Sequence, residues 1–328
     1  MELHIQPMGR SVLVESGANL LEVLRANEVP ISYSCMAGRC GTCRCKVVEG
    51  QVLESGREAT LSNPRDAQYV LACMSTLTAP CTIEIPEPDE VVNHPARIIK
   101  AAVVAVEDAT HDIKRVTLKP AKPLEYSPGQ YVTLQFDREH IRPYSMAGLD
   151  SDDVLEFHVR MVPDGRVSGY IANTLKVGDS VRVTGPLGTA YLRRKHEGPM
   201  LCVAGGTGLA PVLSIVRGAL EGGMNNPIHV YFGVRAQSDI YCTQALEQLQ
   251  ARYPNLEVHV VVTVGDVAGS QRSGLVTDAV DQDWSSLEGF RVYLCGSPPM
   301  VDAATLLVTR KGVSAEHVYA DAFYASAS

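Results

Sequence analysis

Four cysteines are spaced for metal chemistry. Cys35, Cys40 and Cys43 follow a C-x4-C-x2-C pattern, and Cys73 lies well downstream. This is the plant-type [2Fe–2S] spacing, in which one tight loop supplies three thiolates and a distant cysteine closes the cluster. Gly38 and Gly41 stand between the ligands, where glycine tolerates positive φ and lets backbone amides approach the cluster sulfurs. A structural zinc site is the competing reading. It usually shows two paired ligand sets, whereas only one C-x2-C pair is present. Cys45 shares a face with Cys43 if the chain there is extended, which keeps it as an alternative ligand. Cys81, Cys202 and Cys242 read as core residues.

A second group suits a flat, phosphate-bearing ligand. Arg142-Pro143-Tyr144-Ser145 follows the strand-like QYVTLQF. Arginine offers a planar fork to a phosphate, tyrosine a flat face to a ring, and serine a hydroxyl to a ring heteroatom. Gly165-Arg166-Val167-Ser168 precedes an expected helix that could offer amides to a second phosphate. Gly185-Pro186-Leu187-Gly188 ends a strand where a ligand could come close. Each alone is more often simply a turn.

A third group suits a dinucleotide. Gly205-Gly206-Thr207-Gly208-Leu209-Ala210-Pro211 sits between the strand MLCVA and the expected helix PVLSIVRGALE. Such a loop permits close approach to a pyrophosphate, and the helix N-terminus adds a favourable dipole. The G-x-G-x-x-G fingerprint is incomplete. Cys295-Gly296-Ser297-Pro298-Pro299 ends another strand; Cys295 and Gly296 would lie where parallel sheets bind ligands, while Ser297 can cap the next helix. Beyond IHVYFGV, Arg235 could accept a ribose 2′-phosphate and Asp239 a free 2′-hydroxyl.

These residues need three scaffolds. Residues 1–90 open with the alternating runs ELHIQP and SVLVES. A short helix follows, with Asn19 as N-cap, Glu22 three residues on and Leu20, Leu21 and Leu24 on one face. KVVEGQVL and CTIEIP complete an α+β domain. The proline- and acid-rich stretch 86–97 reads as a linker. Residues 97–195 hold AAVVAV, KRVTLKP, QYVTLQF, EFHVRMV and SVRVTG, short strands at the spacing of an antiparallel barrel. In residues 196–328 apolar strands alternate with amphipathic helices, the rhythm of an α/β doubly wound parallel sheet.

Composition agrees. The 328 residues carry 29 basic and 37 acidic side chains, a net charge of −8, which argues against a nucleic-acid partner. With 45 % hydrophobic and 20 % charged residues the chain is globular. The opening MELHIQPMGR has no apolar signal core, so a cytoplasmic location is expected. Residues 198–216 are uncharged and near membrane-spanning length, but their glycine run reads better as strand, turn and buried helix. Five of the nine cysteines fall between Cys35 and Cys73, which suggests metal or redox work and not disulfides.

Taken together, YSCMAGRCGTCRC with Cys73, PYSMAG, GPLGTAYL, GGTGLAP, YLCGSPP and YADAFY resemble the reductase components of bacterial Rieske-type ring-hydroxylating dioxygenases. The fold-level relative is the ferredoxin–NADP reductase superfamily, and the likeness is greatest to naphthalene and nitroarene systems. The resemblance implies a β-grasp ferredoxin-like first domain, a flavin barrel and a nucleotide domain. It implies that Arg142, Tyr144 and Ser145, with Gly165, Val167 and Ser168, hold FAD. It implies that Gly205, Gly206, Thr207, Gly208, Cys295 and Gly296 hold the nicotinamide nucleotide. Ser145, Cys295 and Phe323 are then expected at the reacting centre, Phe323 covering the flavin ring with Tyr324 as its rival. The tail ASAS departs from chloroplast reductases, which end at the aromatic.

The implied activity is a relay: hydride from NADH, or NADPH, to FAD, then single electrons through the [2Fe–2S] cluster to a Rieske-type ferredoxin serving an oxygenase of aromatic-hydrocarbon catabolism. The cofactors carry the redox chemistry and the protein positions them. A monomer without membrane contact is expected. A two-component reductase feeding its oxygenase directly, and a non-catalytic redox sensor or carrier, are the alternatives.

Overall fold

The computed structural model describes residues 1–31, 33, 43–54, 69–85 and 94–324. Cys35, Cys40, Gly38, Gly41, most of the expected linker and the ASAS tail lie outside the described residues. Two compact units form: residues 1–96 with 185–189, and residues 97–184 with 190–328.

In the first unit, β1 (Glu2–Gln6) and β2 (Arg10–Leu13) form a hairpin followed by helix α1 (Leu20–Ala26). Then come β3 (Arg44–Glu49), β4 (Val52–Glu54), β5 (Tyr69–Leu71), β6 (Ser75–Leu77) and β7 (Cys81–Glu84). The main sheet runs β2-β1-β7-β3-β5, with β1 parallel to β7, and β4 pairs with β6. Strict alternation along β1 turns Leu3 and Ile5 inward, where they meet Leu20, Leu21 and Leu24 of α1. A mixed sheet gripping one helix is the β-grasp arrangement. Asn19 caps α1 as expected, its Oδ1 accepting from the Glu22 amide at 3.2 Å. KVVEGQVL is not one strand. It breaks at Gly50, whose φ of +83° and 2.6 Å approach to the Pro80 carbonyl (measured from an added Cβ) exclude a side chain.

The second unit holds both remaining scaffolds. Strands β8 (Arg97–Asp108), β9 (Ile113–Pro120), β10 (Tyr131–Gln135), β11 (Ile141–Ser145) and β12 (Leu155–Arg160) precede helix α2 (Arg166–Asn173) and β13 (Ser180–Leu187). Their sheet runs β11-β10-β13-β8-β9-β12. A Met146–Phe157 bridge joins the two edges, so the sheet closes into a barrel around Val132, Leu134, Phe157, Val181 and Val183.

The chain continues as β14 (Met200–Gly205), α3 (Leu209–Glu221), β15 (Ile228–Val234), α4 (Thr243–Arg252), β16 (Leu256–Val262) and β17 (Arg272–Ser273). It ends with α5 (Val276–Asp283), β18 (Arg291–Gly296), α6 (Pro298–Arg310) and β19 (Val318–Ala322). The sheet order is β17-β16-β15-β14-β18-β19, every pair parallel. Helices cover both faces, so β14 is apolar throughout: Met200 to Ala204 are all buried. Strand order reverses between β14 and β18, which opens a crevice at their carboxyl ends. Residues 198–216 become β14, a glycine turn and α3. Among the described residues no helix is long and apolar enough to cross a membrane.

Helix α3 also fastens the sheet to the barrel. Ser214 Oγ donates to the Gly148 carbonyl at 2.6 Å and accepts from the Gly129 amide at 3.2 Å. Arg217 grips the Asp152 carboxylate through two nitrogens, at 2.8 and 3.1 Å. This bidentate pair holds Asp152 below the usual carboxylate range against the opposing effect of burial. At Gly218 an added Cβ would come within 2.5 Å of the Pro128 ring, so the helix and the barrel turn are in direct contact.

Candidate functional site

In the first unit, two of the four expected cluster ligands are described, and the fold brings them together. The Cys73 amide donates to Cys43 Sγ at 3.4 Å, and the Ala72 amide to the Cys43 carbonyl at 2.9 Å. Asn19, beyond capping α1, donates from Nδ2 to the Cys73 carbonyl at 3.0 Å. An amide aimed at the ligand sulfur suits a thiolate-bound cluster, because such bonds stabilise its reduced, more negative state. Cys45 is the next inward position on β3. It packs among Leu3, Leu77 and Ile83, and burial, followed by the neighbouring Cys43, pushes its thiol far up. Cys35 and Cys40, the other expected ligands, lie outside the described residues.

In the second unit a cleft of about 1280 Å³ collects residues from the barrel and the sheet. Arg142, Tyr144 and Ser145 reach it from β11. Arg142 Nη2 donates to the Tyr324 carbonyl at 3.0 Å. Burial pushes the Tyr144 hydroxyl up to about 12, with Arg142 opposing. Gly165, Val167 and Ser168 line the cleft at the start of α2, and the sequence reading placed them just before it. That helix has no side-chain cap, so its first amides suit an anionic group. Ser168 Oγ is used locally, accepting from the Val162 amide at 3.2 Å and donating to the Gly165 carbonyl at 3.3 Å. Gly185 to Gly188 do not line the cleft and belong with the first unit.

Gly205, Gly206 and Thr207 form the opposite wall, in a tight turn that leads into α3 two residues earlier than expected. Gly208 does not face the cleft. An added Cβ there would sit 2.0 Å from the Cys295 carbonyl oxygen, so the glycine turn and the end of β18 meet backbone against backbone. Cys295 and Gly296 are buried and do not line the cleft, while Ser297 and Met300 beside them do. The Cys295 side chain is fully buried, and burial, then Asp321, raises its thiol well above the ordinary value. Phe323 and Tyr324 both line the cleft; Phe323 is anchored by its amide on the Gly296 carbonyl at 2.8 Å, and Tyr324 is exposed.

The ribose candidates lie apart from the cleft lining. Neither Arg235 nor Asp239 lines the cleft. Asp239 Oδ2 accepts from the Ala236 amide at 2.9 Å, which commits that carboxylate to a short turn. Arg235 is exposed beyond the end of β15.

Three cleft residues escaped the sequence reading. Asp321 accepts from Ser145 Oγ at 2.8 Å and lies in register beside Cys295; burial raises its carboxyl, with the Ser145 bond opposing. The signal was a lone acid at the end of the apolar strand HVYADAF. Arg160 brings Nη1 within 3.1 Å of an added Cβ on Gly206, placing a cation beside the glycine turn. His158 Nδ1 and Tyr241 Oη are 3.0 Å apart, and that hydroxyl donates to the Gly206 carbonyl at 3.4 Å. Arg160 and His158 both sit on EFHVRMV, which reads as plain strand until the sheet opposite is in place.

Comparison with known proteins agrees with this division. Residues 3–78 match a 2Fe-2S iron-sulfur cluster binding domain, 100–191 an oxidoreductase FAD-binding domain and 202–305 an oxidoreductase NAD-binding domain. The chain is 60 % identical over 326 residues to the ferredoxin–NAD(P)+ reductase component of the naphthalene 1,2-dioxygenase/salicylate 5-hydroxylase systems of a Ralstonia species, covering 99 % of both. It is 60 % identical over 324 residues to the corresponding component of the Pseudomonas putida naphthalene 1,2-dioxygenase system, again covering 99 % of both. Among solved structures, an Amycolatopsis cytochrome P450 reductase matches with TM-score 0.73 and 34 % identity over 98 % of both chains. A ferredoxin reductase in carbazole 1,9a-dioxygenase matches with TM-score 0.67 and 29 % identity over the same shares. With a cysteine pair built for a cluster and a cleft walled by flavin-type and nucleotide-type residues, the chain belongs to the ferredoxin–NAD(P)+ reductase components of naphthalene-dioxygenase-type systems.

Proposed function

We propose that this reductase takes hydride from NADH and delivers single electrons to a Rieske-type ferredoxin that serves an aromatic-ring oxygenase. The observation that carries the reading is the shared cleft, lined by Ser145 of the barrel and by Asp321 and Gly205 to Thr207 of the sheet. When bound, FAD accepts the hydride pair and releases its electrons singly, and the [2Fe–2S] cluster carries one at a time.

The chain's own residues would position these groups. Arg142 and the uncapped start of α2 suit the FAD phosphates, Tyr144 the ring system and Ser145 a ring heteroatom. Ser145 keeps its proton directed at Asp321, and Asp321 in turn orients that hydroxyl. Arg160 and the turn 205–207 suit the pyrophosphate of the incoming nucleotide. Gly208 and Cys295 hold the glycine turn and the end of β18 in contact, and Phe323 or Tyr324 would exclude water from the ring. Arg235 remains the ribose candidate on position alone. Cys35, Cys40, Cys43 and Cys73 would bind the cluster. Domains at 1–90, 97–195 and 196–328, a monomer and a cytoplasmic location complete the reading.

The test is an anaerobic NADH titration of purified protein, followed by visible absorption and low-temperature EPR, with NADPH in parallel. Flavin bleaching together with a reduced [2Fe–2S] signal is expected. If neither nucleotide reduces either centre, a carrier or sensor role replaces it. Reconstitution with and without a ferredoxin separates the three-component system from direct transfer to an oxygenase.

A further inference from the structure

At the amino ends of β15 and β16, away from the cleft, two imidazoles and a carboxylate converge. His229 pairs in register with Glu257, and Tyr231 with His259, so all four side chains project from one face of the sheet. His229 Nδ1 lies 3.1 Å from Glu257 Oε2, and His259 Nε2 lies 3.8 Å from the same oxygen. One donor atom from each of the three residues lies within 4.8 Å of those of the other two. Donors in a tetrahedral shell with bonds of 2.0–2.1 Å stand about 3.3 Å apart, so a small closure would seat an ion.

From this geometry we infer that His229, Glu257 and His259 form a binding site for a divalent transition-metal ion of the zinc or nickel type. Two imidazoles among three donors favour such ions over magnesium or calcium, which take oxygen shells. The rings are held in place before any ion arrives. The Tyr231 ring stacks on His259 at 4.6 Å and 25°, and the Trp284 ring meets His229 edge-on at 4.7 Å. Tyr231 is itself fixed, donating to Asp283 Oδ2 at 2.7 Å and accepting from Trp284 Nε1 at 3.0 Å. The nearby cation Arg272 is already paired with Asp283, so its charge is offset. Glu257 is exposed, and its side of the site opens to solvent. Three protein donors leave a fourth position for water.

The site is separate from the nucleotide cleft. His229 and Gly233 stand four residues apart on β15, about 13 Å, and Gly233 is where that strand reaches the cleft. A bound ion would pin β15 to β16 at the end of the sheet that the nucleotide does not touch.

Trp284 is the chain's single tryptophan, so its emission reports on His229. Holoprotein freed of loosely held metal would be titrated with Ni2+ while recording tryptophan emission, then assayed for nickel after gel filtration. Saturable quenching with one Ni2+ per chain is expected. Glu257→Gln and His259→Gln should each shift the midpoint by more than about 10-fold, the least that even an outer-shell partner costs. Glu257→Gln changes an exposed side chain and should keep flavin, cluster and NADH oxidation at wild-type levels. Equal midpoints in wild type and both variants, or absence of saturable quenching, would each overturn the assignment.

Discussion

Replacing Gly208 by alanine tests whether the contact between the glycine turn and the end of β18 sets the nucleotide site. The added Cβ would lie 2.0 Å from the Cys295 carbonyl oxygen, 2.4 Å from its carbon and 2.8 Å from the Gly296 nitrogen. All three are backbone atoms, so no side-chain rotation relieves the clash. Ordinary contact begins near 3.4 Å, and the turn and the strand end must part by about 1.4 Å. Gly205 to Thr207, immediately before, would move with them. Misplacement of about 1 Å at a reacting centre can cost about 100-fold, or ~2.7 kcal/mol of transition-state stabilisation. The assay is steady-state NADH oxidation with ferricyanide as acceptor, on protein shown by its visible spectrum to retain flavin and cluster. A fall of that order in kcat/KM, mainly through KM, is expected. Gly169→Ala in α2 is the control: nothing lies within 4 Å of an added Cβ there, and the helix should gain roughly 0.5–1 kcal/mol with kinetics unchanged. A folded Gly208→Ala enzyme with kcat/KM within about twofold of wild type would refute the reasoning.

Two further outcomes follow from the same geometry. Cys73→Ser should lose the [2Fe–2S] absorption and much of the iron, whereas Cys45→Ala should keep both and lose stability through its buried packing; retention of iron by the first and loss by the second would reverse the ligand assignment. Ser145→Ala removes the hydrogen bond that partly offsets the burial of Asp321, so its apparent pKa should rise further. Because the folded value already exceeds the unfolded one, the stability this group contributes is full at low pH and is lost as pH rises through the folded value. Urea midpoints measured from acid to neutral pH should therefore decline over a wider range in Ser145→Ala and flatten in Asp321→Asn, and parallel curves for all three proteins would count against it.

What could be read from the chain divides by range. The Asn19 cap, the inward leucines of α1 and the glycine turn before α3 are local devices. Each depends on residues within a few positions, and each formed as expected. The start of α3 at Leu209, and not Pro211, falls within the usual fraying of helix ends. The break in KVVEGQVL at Gly50 needed the Pro80 carbonyl, thirty residues away, before it could be seen. Asp321 and His158 were hidden for the same reason. Their partners, Ser145 and Tyr241, are distant in sequence, and an isolated acid or histidine in a strand reads as ordinary alternation. Asp239 shows the converse case: a residue at the expected distance from a strand end has its carboxylate bonded within its own turn.

The anchoring of α3 bears on how nucleotide halves could be exchanged between relatives. Counting by segments places the seam near residue 195, yet the helix that begins at the glycine turn keeps Ser214, Arg217 and Gly218 engaged with Gly148, Asp152 and Pro128. A graft cut at that seam would carry half of each contact. A chimaera that keeps donor and acceptor aligned must therefore bring the two barrel turns along with the helix, so that the inherited piece is defined by its fastenings and not by its place in the chain.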